Sequence, residues 1–220
     1  MTNFYIRPLI IAWFWIFFFQ SLSGQTSKDF LNQKEEFTNI EEALKAPDKV
    51  YRLNLTEKQV EFIPDSMWDK FQNLEYLSLK NDHLREIPEG IGYLKNLKVL
   101  DLSGNDFKVL PNSFSNLYNL NEIYLNDEKN MNVEASIDVI KDLPNLRILH
   151  LENDNLKKIP TSLLRLQNLE ALYINNNKFK KVPLELGELK NLKFVDIHDN
   201  KFKLNLNGID NQSFGYKMRF

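Results

Sequence analysis

The amino-acid sequence predicts an α/β solenoid, in which stacked units each add one strand to a parallel concave sheet and one turn or short helix to the convex side. Three observations predict it. Of 220 residues, 34 are Leu and 27 are Asn, the kind of bias that internal repetition leaves. The spacing Leu-x-x-Leu-x-Leu-x-x-Asn-x-Leu-x-x-Ile-Pro recurs in units that begin at Val50, Leu74, Leu97, Leu120, Leu146, Leu169 and Leu192. Prolines follow Ile63, Ile87, Leu110, Ile159 and Val182, all at one place in the unit, where a residue without an N–H disfavours continued strand.

Composition narrows the function classes. With 28 Lys and Arg against 30 Asp and Glu, the net charge is −2. A chain-wide phosphate-neutralising polycation is therefore not expected, which argues against nucleic acid as the partner. The absence of Cys excludes disulfides, thiolate metal sites and a cysteine nucleophile. At 43% hydrophobic and 26% charged residues, most of the chain should fold, and it must do so by packing alone.

Residues 1–24 read as a secretory signal peptide. Arg7 is the charged side chain of the first seven residues, 9–19 is unbroken apolar sequence, and Ser21 and Ser23 follow two apart. That apolar run is well short of the roughly 20 residues that span a bilayer. Export with cleavage is expected, to the medium, the periplasm or the cell surface, and membrane contact would come only through an uncleaved N-terminus.

Residues 25–49 should form an N-terminal cap. Thr38-x-x-Glu41 has capping-box spacing, and Ile40, Ala43 and Leu44 share a helical face. The helix should stop at Ala46-Pro47 and cover the open edge of the first unit.

The array occupies 50–204. Alternation in Leu-x-Leu sends the leucines to one side of a strand and the intervening residues to the other. One unit cannot cover its own apolar residues, so neighbours have to stack. At the Asn position stand Lys58, Asp82, Asn105, Glu128, Asp154, Asn177 and Asn200. Asn can donate and accept, ionised Asp can only accept, and Lys or Glu is long for a tight ladder. Weak links are thus expected at the first unit and at the Leu120 unit, which is also 26 residues long instead of 23, with the extra length placed at 127–133. Residues 205–220 should be a partial C-terminal cap and a loose tail.

These motifs closely resemble the leucine-rich-repeat family in its 23-residue Ile-Pro form, over about residues 50–204, and within it small exported bacterial proteins. The resemblance implies a horseshoe segment with a concave parallel sheet.

No catalytic or metal-binding motif is found, and no cofactor is expected. His83, His150 and His198 have no metal-ligand spacing. Residues at the third and fifth positions of each unit should point outward on the concave face, and partner-binding residues are expected there. These are Tyr76, Val99, Asp101, Glu122, Tyr124, Ile148, His150, Tyr173, Phe194 and Asp196. They form an acidic surface with an aromatic centre, suited to a protein partner. A basic stripe of Arg85, Lys108, Lys157, Lys180 and Lys203, flanked by Lys158, Lys178, Lys181 and Lys201, offers an alternative site for a glycan or another anionic polymer. Asn54-Leu-Thr56 and Asn211-Gln-Ser213 match glycosylation acceptors.

Overall fold

The computed structural model describes residues 34–58, 63–202 and 215–220. The signal-peptide expectation, Lys203 and the 211–213 acceptor lie outside the described residues.

Nine strands form one parallel sheet in chain order. They are β1 (Glu36–Phe37), β2 (Arg52–Asn54), β3 (Tyr76–Ser78), β4 (Val99–Asp101), β5 (Glu122–Tyr124), β6 (Ile148–His150), β7 (Ala171–Tyr173), β8 (Phe194–Asp196) and β9 (Lys217–Arg219). β2 to β8 are the strands the leucine spacing predicts. Leu53, Leu77, Leu100, Ile123, Leu149, Leu172 and Val195 are mutually in register and fully buried. Each such side chain contributes about 1.5–3 kcal/mol by leaving water.

Both ends differ from the expectation. β1 pairs with β2, so a strand as well as a helix lies at the first unit. The helix α1 (Ile40–Ala43) is capped by Asn39 and not by Thr38: Asn39 is extended, and its side chain accepts from the N–H groups of Glu41 and Glu42 at 2.8 and 3.1 Å. At the other end, β9 extends the sheet where a loose tail was expected, with Tyr216 and Met218 buried in the core.

Each repeat proline occupies the cap position of the turn that follows it, with φ between −56° and −76°. The pyrrolidine ring fixes that angle, and the missing N–H costs nothing where a helical turn begins. These turns are α2 (Asp65–Trp68) and the 3₁₀ turns Glu89–Tyr93, Asn112–Asn116, Thr161–Arg165 and Leu184–Glu188. The Leu120 unit has Glu134 in place of proline, and there the turn becomes a full helix, α3 (Val133–Ile140), capped by Asn132. Its extra residues therefore lie in the helical segment and not at 127–133, where Glu128 and Val133 keep their usual positions and Met131 is buried one place after the usual core position.

The chain leaves every repeat strand through a left-handed residue. Glu57, Asn81, Asp127, Asn153, Asn176 and Asp199 have φ between 52° and 63°, and Gly104 has 72°. Asn, Asp and Gly tolerate this region best; Glu57 departs from the pattern.

The next residue builds a ladder. Lys58 donates its backbone N–H to Asp82, Asp82 to Asn105, Asn105 to Glu128, Glu128 to Asp154 and Asp154 to Asn177, at 2.7–3.2 Å. The two links expected to be weak are both made. Lys58 needs only its backbone, and the longer Glu128 side chain reaches Asn105 N–H at 2.9 Å. A second row, absent from the sequence reading, runs along the opposite edge. Asn73, Asn96, Asn119, Asn145, Asn168 and Asn191 each donate Nδ2 to a carbonyl of the preceding unit at 2.8–3.2 Å.

Candidate functional site

The parallel register brings like positions of successive units side by side. The third-position column reads Arg52, Tyr76, Val99, Glu122, Ile148, Ala171, Phe194, and the fifth reads Asn54, Ser78, Asp101, Tyr124, His150, Tyr173, Asp196. β1 and β9 prolong the columns with Glu36, Lys217 and Arg219.

The centre is a row of rings. Tyr124 and His150 stack at 3.9 Å between centroids and 14° between planes, His150 and Tyr173 at 4.3 Å and 5°, and Phe194 tilts against Tyr173 at 5.5 Å. The columns are less exposed than expected. Tyr76, Val99, Asp101, Glu122, Ile148, His150 and Asp196 are buried, while Tyr124, Tyr173 and Phe194 are half-buried. Strand spacing of about 4.8 Å sets aligned side chains in van der Waals contact, so rings in neighbouring units cover each other's faces.

Carboxylates organise this row. Glu122 Oε1 accepts from Tyr124 OH at 2.5 Å and lies 3.1 Å from His150 Nε2, while His150 Nδ1 lies 3.4 Å from the Glu152 carboxylate. Burial pushes the His150 pKa down, but the hydrogen bonds and charges of Glu122 and Glu152 outweigh it, and the net shift is upward. Burial raises the Tyr173 hydroxyl, helped by Glu122, Asp196 and Glu152.

Toward the ends the columns become ionic. Asp196 meets His198 Nδ1 at 2.5 Å and Arg219 at 3.2 Å, and Asp101 accepts from Ser103 N–H at 3.1 Å. Arg52 pairs with Glu36 and stacks over the Tyr76 ring at 4.6 Å. The structure thus unites Tyr124, His150, Tyr173 and Phe194 with Glu122, and separates His150 from His198, which turns to Asp196 and Asp199. Glu36, Lys217 and Arg219 were missed. The alternation Tyr216-Lys-Met-Arg-Phe220 was the available signal for the last two.

On the edge beyond the strand C-termini, Arg85, Lys108, Lys157 and Lys180 are exposed, and buried Met131 interrupts the row. A convex recess between α3 and the Thr161–Arg165 turn is lined by Glu134, Asp138, Arg165 and Glu188. Two of its carboxylates serve the scaffold: Glu134 accepts from the N–H groups of Thr161 and Ser162, both at 2.8 Å, and Asp138 pairs with Lys141. Among the described residues, no group of three or more His, Asp or Glu is arranged to hold a metal ion.

A family model described as leucine-rich repeat region matches residues 53–133, and one described as leucine rich repeat matches 144–202. No curated protein matches the chain. Among solved structures, an LRR protein of Leptospira interrogans is 23% identical over 76% of this chain and 53% of its own, with a TM-score of 0.50. Internalin C2 of Listeria monocytogenes is 23% identical over 72% of this chain and 65% of its own, with a TM-score of 0.51. The chain thus spans 53% and 65% of the length of these two structures. Both are likenesses of fold.

Proposed function

The chain belongs to the leucine-rich-repeat family, and from that premise we propose that it is an exported, non-catalytic module that binds a protein partner on its concave face. Arrays of this family generally serve as protein-binding surfaces, because stacking yields a long rigid wall at little entropic cost per residue.

One observation carries the reading: the stacked row Tyr124–His150–Tyr173, continued by Phe194. Rings already ordered by stacking lose little freedom when a partner covers them, which is the property of an interface anchor. Asp101, Glu122, Glu152 and Asp196 surround the row, so a partner segment carrying Lys or Arg beside an apolar side chain fits best. The same carboxylates bind tyrosine, histidine, arginine or backbone groups within the wall, a use that favours recognition over acid–base chemistry. Export rests on the charged start and apolar run of residues 1–24.

Crosslinking on native cells with mass spectrometry would identify the partner, after which its affinity is compared for wild type, Tyr124→Ala and Tyr173→Ala. A loss of about tenfold or more in either variant, with circular dichroism unchanged, is the expected result. Unchanged affinity in both would overturn concave-face binding.

A further inference from the structure

We propose that the edge of the last three described repeat units binds a linear polyanion, a chain of regularly spaced phosphate or sulfate groups that crosses successive repeats. The site comprises Lys157 and Lys158 in one unit, Lys178, Lys180 and Lys181 in the next, and Lys201 in the third.

Five of these side chains are exposed and Lys178 is half-buried. Among the described residues, none of the six forms a salt bridge. Another row of cations in the array is neutralised by acids of neighbouring units. At the second position of the units, Glu75 pairs with Lys98 at 3.2 Å, and Glu170 with Lys193 at 2.6 Å and Arg147 at 3.7 Å. The edge is therefore a place where like charges are set side by side without acids between them. Such an arrangement repels itself, and an external anion relieves it.

The charge is also local. The corresponding positions of earlier units carry Glu86 and Asp106 beside Arg85 and Lys108, and Met131 and Asn132 interrupt the row. Over the last three units no acid stands at those positions, although the whole chain has a net charge of −2.

The backbone beneath the lysines is held rigid. Lys178 N–H donates to Leu156 C=O at 2.7 Å and Lys201 N–H to Phe179 C=O at 2.9 Å. Asn177 and Asn200 accept from the N–H groups of Leu156 and Phe179 at 2.8 and 3.0 Å. The cations thus step from unit to unit at the repeat spacing, as a periodic polymer requires. Phe179, between Lys178 and Lys180, is buried in the core and offers bases no face to stack on. This favours recognition of backbone anions over nucleobases.

The test titrates the full chain with fluorescent linear polyphosphate and with heparin at 50 and 200 mM salt. It compares wild type with the triple variant Lys157→Gln, Lys180→Gln, Lys181→Gln, and with a control, Lys98→Gln, Arg147→Gln, Lys193→Gln, which removes three paired cations. With about five contacts, wild-type affinity should fall about a hundredfold between the two salt concentrations. The edge variant should lose at least about tenfold at low salt and show a shallower salt slope, while the control retains wild-type binding. Polyphosphate and heparin distinguish phosphate from sulfate as the preferred anion, and binding of either through the edge lysines supports the site. Binding of neither, or equal losses in edge and control variants, would overturn it. Tyr124→Ala and Tyr173→Ala should leave this titration unchanged, so its outcome is separable from that of the concave face.

Discussion

Asp154 accepts the backbone N–H of Glu128 through Oδ1 at 2.7 Å, while its other carboxyl oxygen is buried without a hydrogen-bond partner. One unit later, Asn177 does more. It accepts from Asp154 and Leu156 N–H and also donates Nδ2 to the carbonyls of Leu151 and Ile174, at 2.8 and 3.0 Å. An ionised carboxylate cannot donate. Burial, with Glu128, Asp127 and Glu152 close by, accordingly pushes the Asp154 pKa up to about 9, and at neutral pH the group carries a proton. Asp154→Asn places an uncharged donor there at every pH and removes the cost of taking up a proton on folding. It should raise stability at pH 7.5 by about 1–3 kcal/mol in urea denaturation, and the gain should fade below pH 4, where Asp is protonated in both states. A variant no more stable than wild type at pH 7.5 would contradict this account.

Glu128 repeats the situation one unit earlier. Its Oε1 accepts from Asn105 N–H at 2.9 Å and its Oε2 is buried without a partner. Burial, reinforced by Asp106, Asp127 and Asp101, raises its pKa to about 8. For both acids the folded chain keeps protons that the unfolded chain releases, so stability falls as pH rises, from 4.5 to about 8 for Glu128 and from 3.8 to about 9 for Asp154. The raised His150 acts in the same direction: its contribution is complete below 6.5 and is lost as pH rises through the folded value. Scanning calorimetry should therefore give a higher Tm at pH 5 than at pH 8.5. The double variant Glu128→Gln, Asp154→Asn should flatten most of that difference. A wild-type Tm that is equal or higher at pH 8.5 excludes the mechanism.

These acids mark the limit of what the sequence discloses. The leucine spacing located β2 to β8 because burial acts on single side chains with a fixed period, and the prolines marked the turns for the same local reason. The columns of the concave face follow from period-two alternation. How far Tyr124, His150 and Tyr173 bury one another depends on the sheet bringing three units together, which no one unit encodes. Capping-box spacing points to Thr38 because Glu41 stands three residues on, but the cap falls to Asn39, whose side chain accepts from Glu41 and Glu42 N–H. Glu128 seemed too long for the ladder because its reach was judged from chain length without the position of Asn105 N–H. β9 was overlooked because its alternation covers only five residues and falls after the repeat pattern has faded.

Gly92 and Gly187 occupy the same repeat position and should respond oppositely to alanine. A Cβ on Gly92 would stand 2.4 Å from Ser113 Cβ and 2.5 Å from Ser113 O, in a neighbouring turn that Ser113 Oγ ties back to Glu89 C=O at 2.8 Å. Gly92→Ala must push these turns apart, at about 1–3 kcal/mol. A Cβ on Gly187 meets nothing within 4 Å, so Gly187→Ala should be neutral or stabilise by up to about 1 kcal/mol through the unfolded chain. Denaturant midpoints of the two variants check the pair, and equal effects would refute the packing difference.

The Glu122–His150 contact makes a prediction about ionisation that leaves the ring stack in place. His150 is buried between two tyrosine rings, and its charged form is favoured by the hydrogen bonds to Glu122 and Glu152. Glu122→Gln keeps the size of the side chain and an acceptor oxygen for Tyr124 OH, but removes the charge. Burial then faces only Glu152, and the His150 pKa should move downward. Histidine ring resonances followed by NMR across pH 4–9 report this directly. An unmoved His150 would mean that Glu152 or burial alone governs the ring, and that the Glu122 carboxylate serves the wall chiefly through Tyr124.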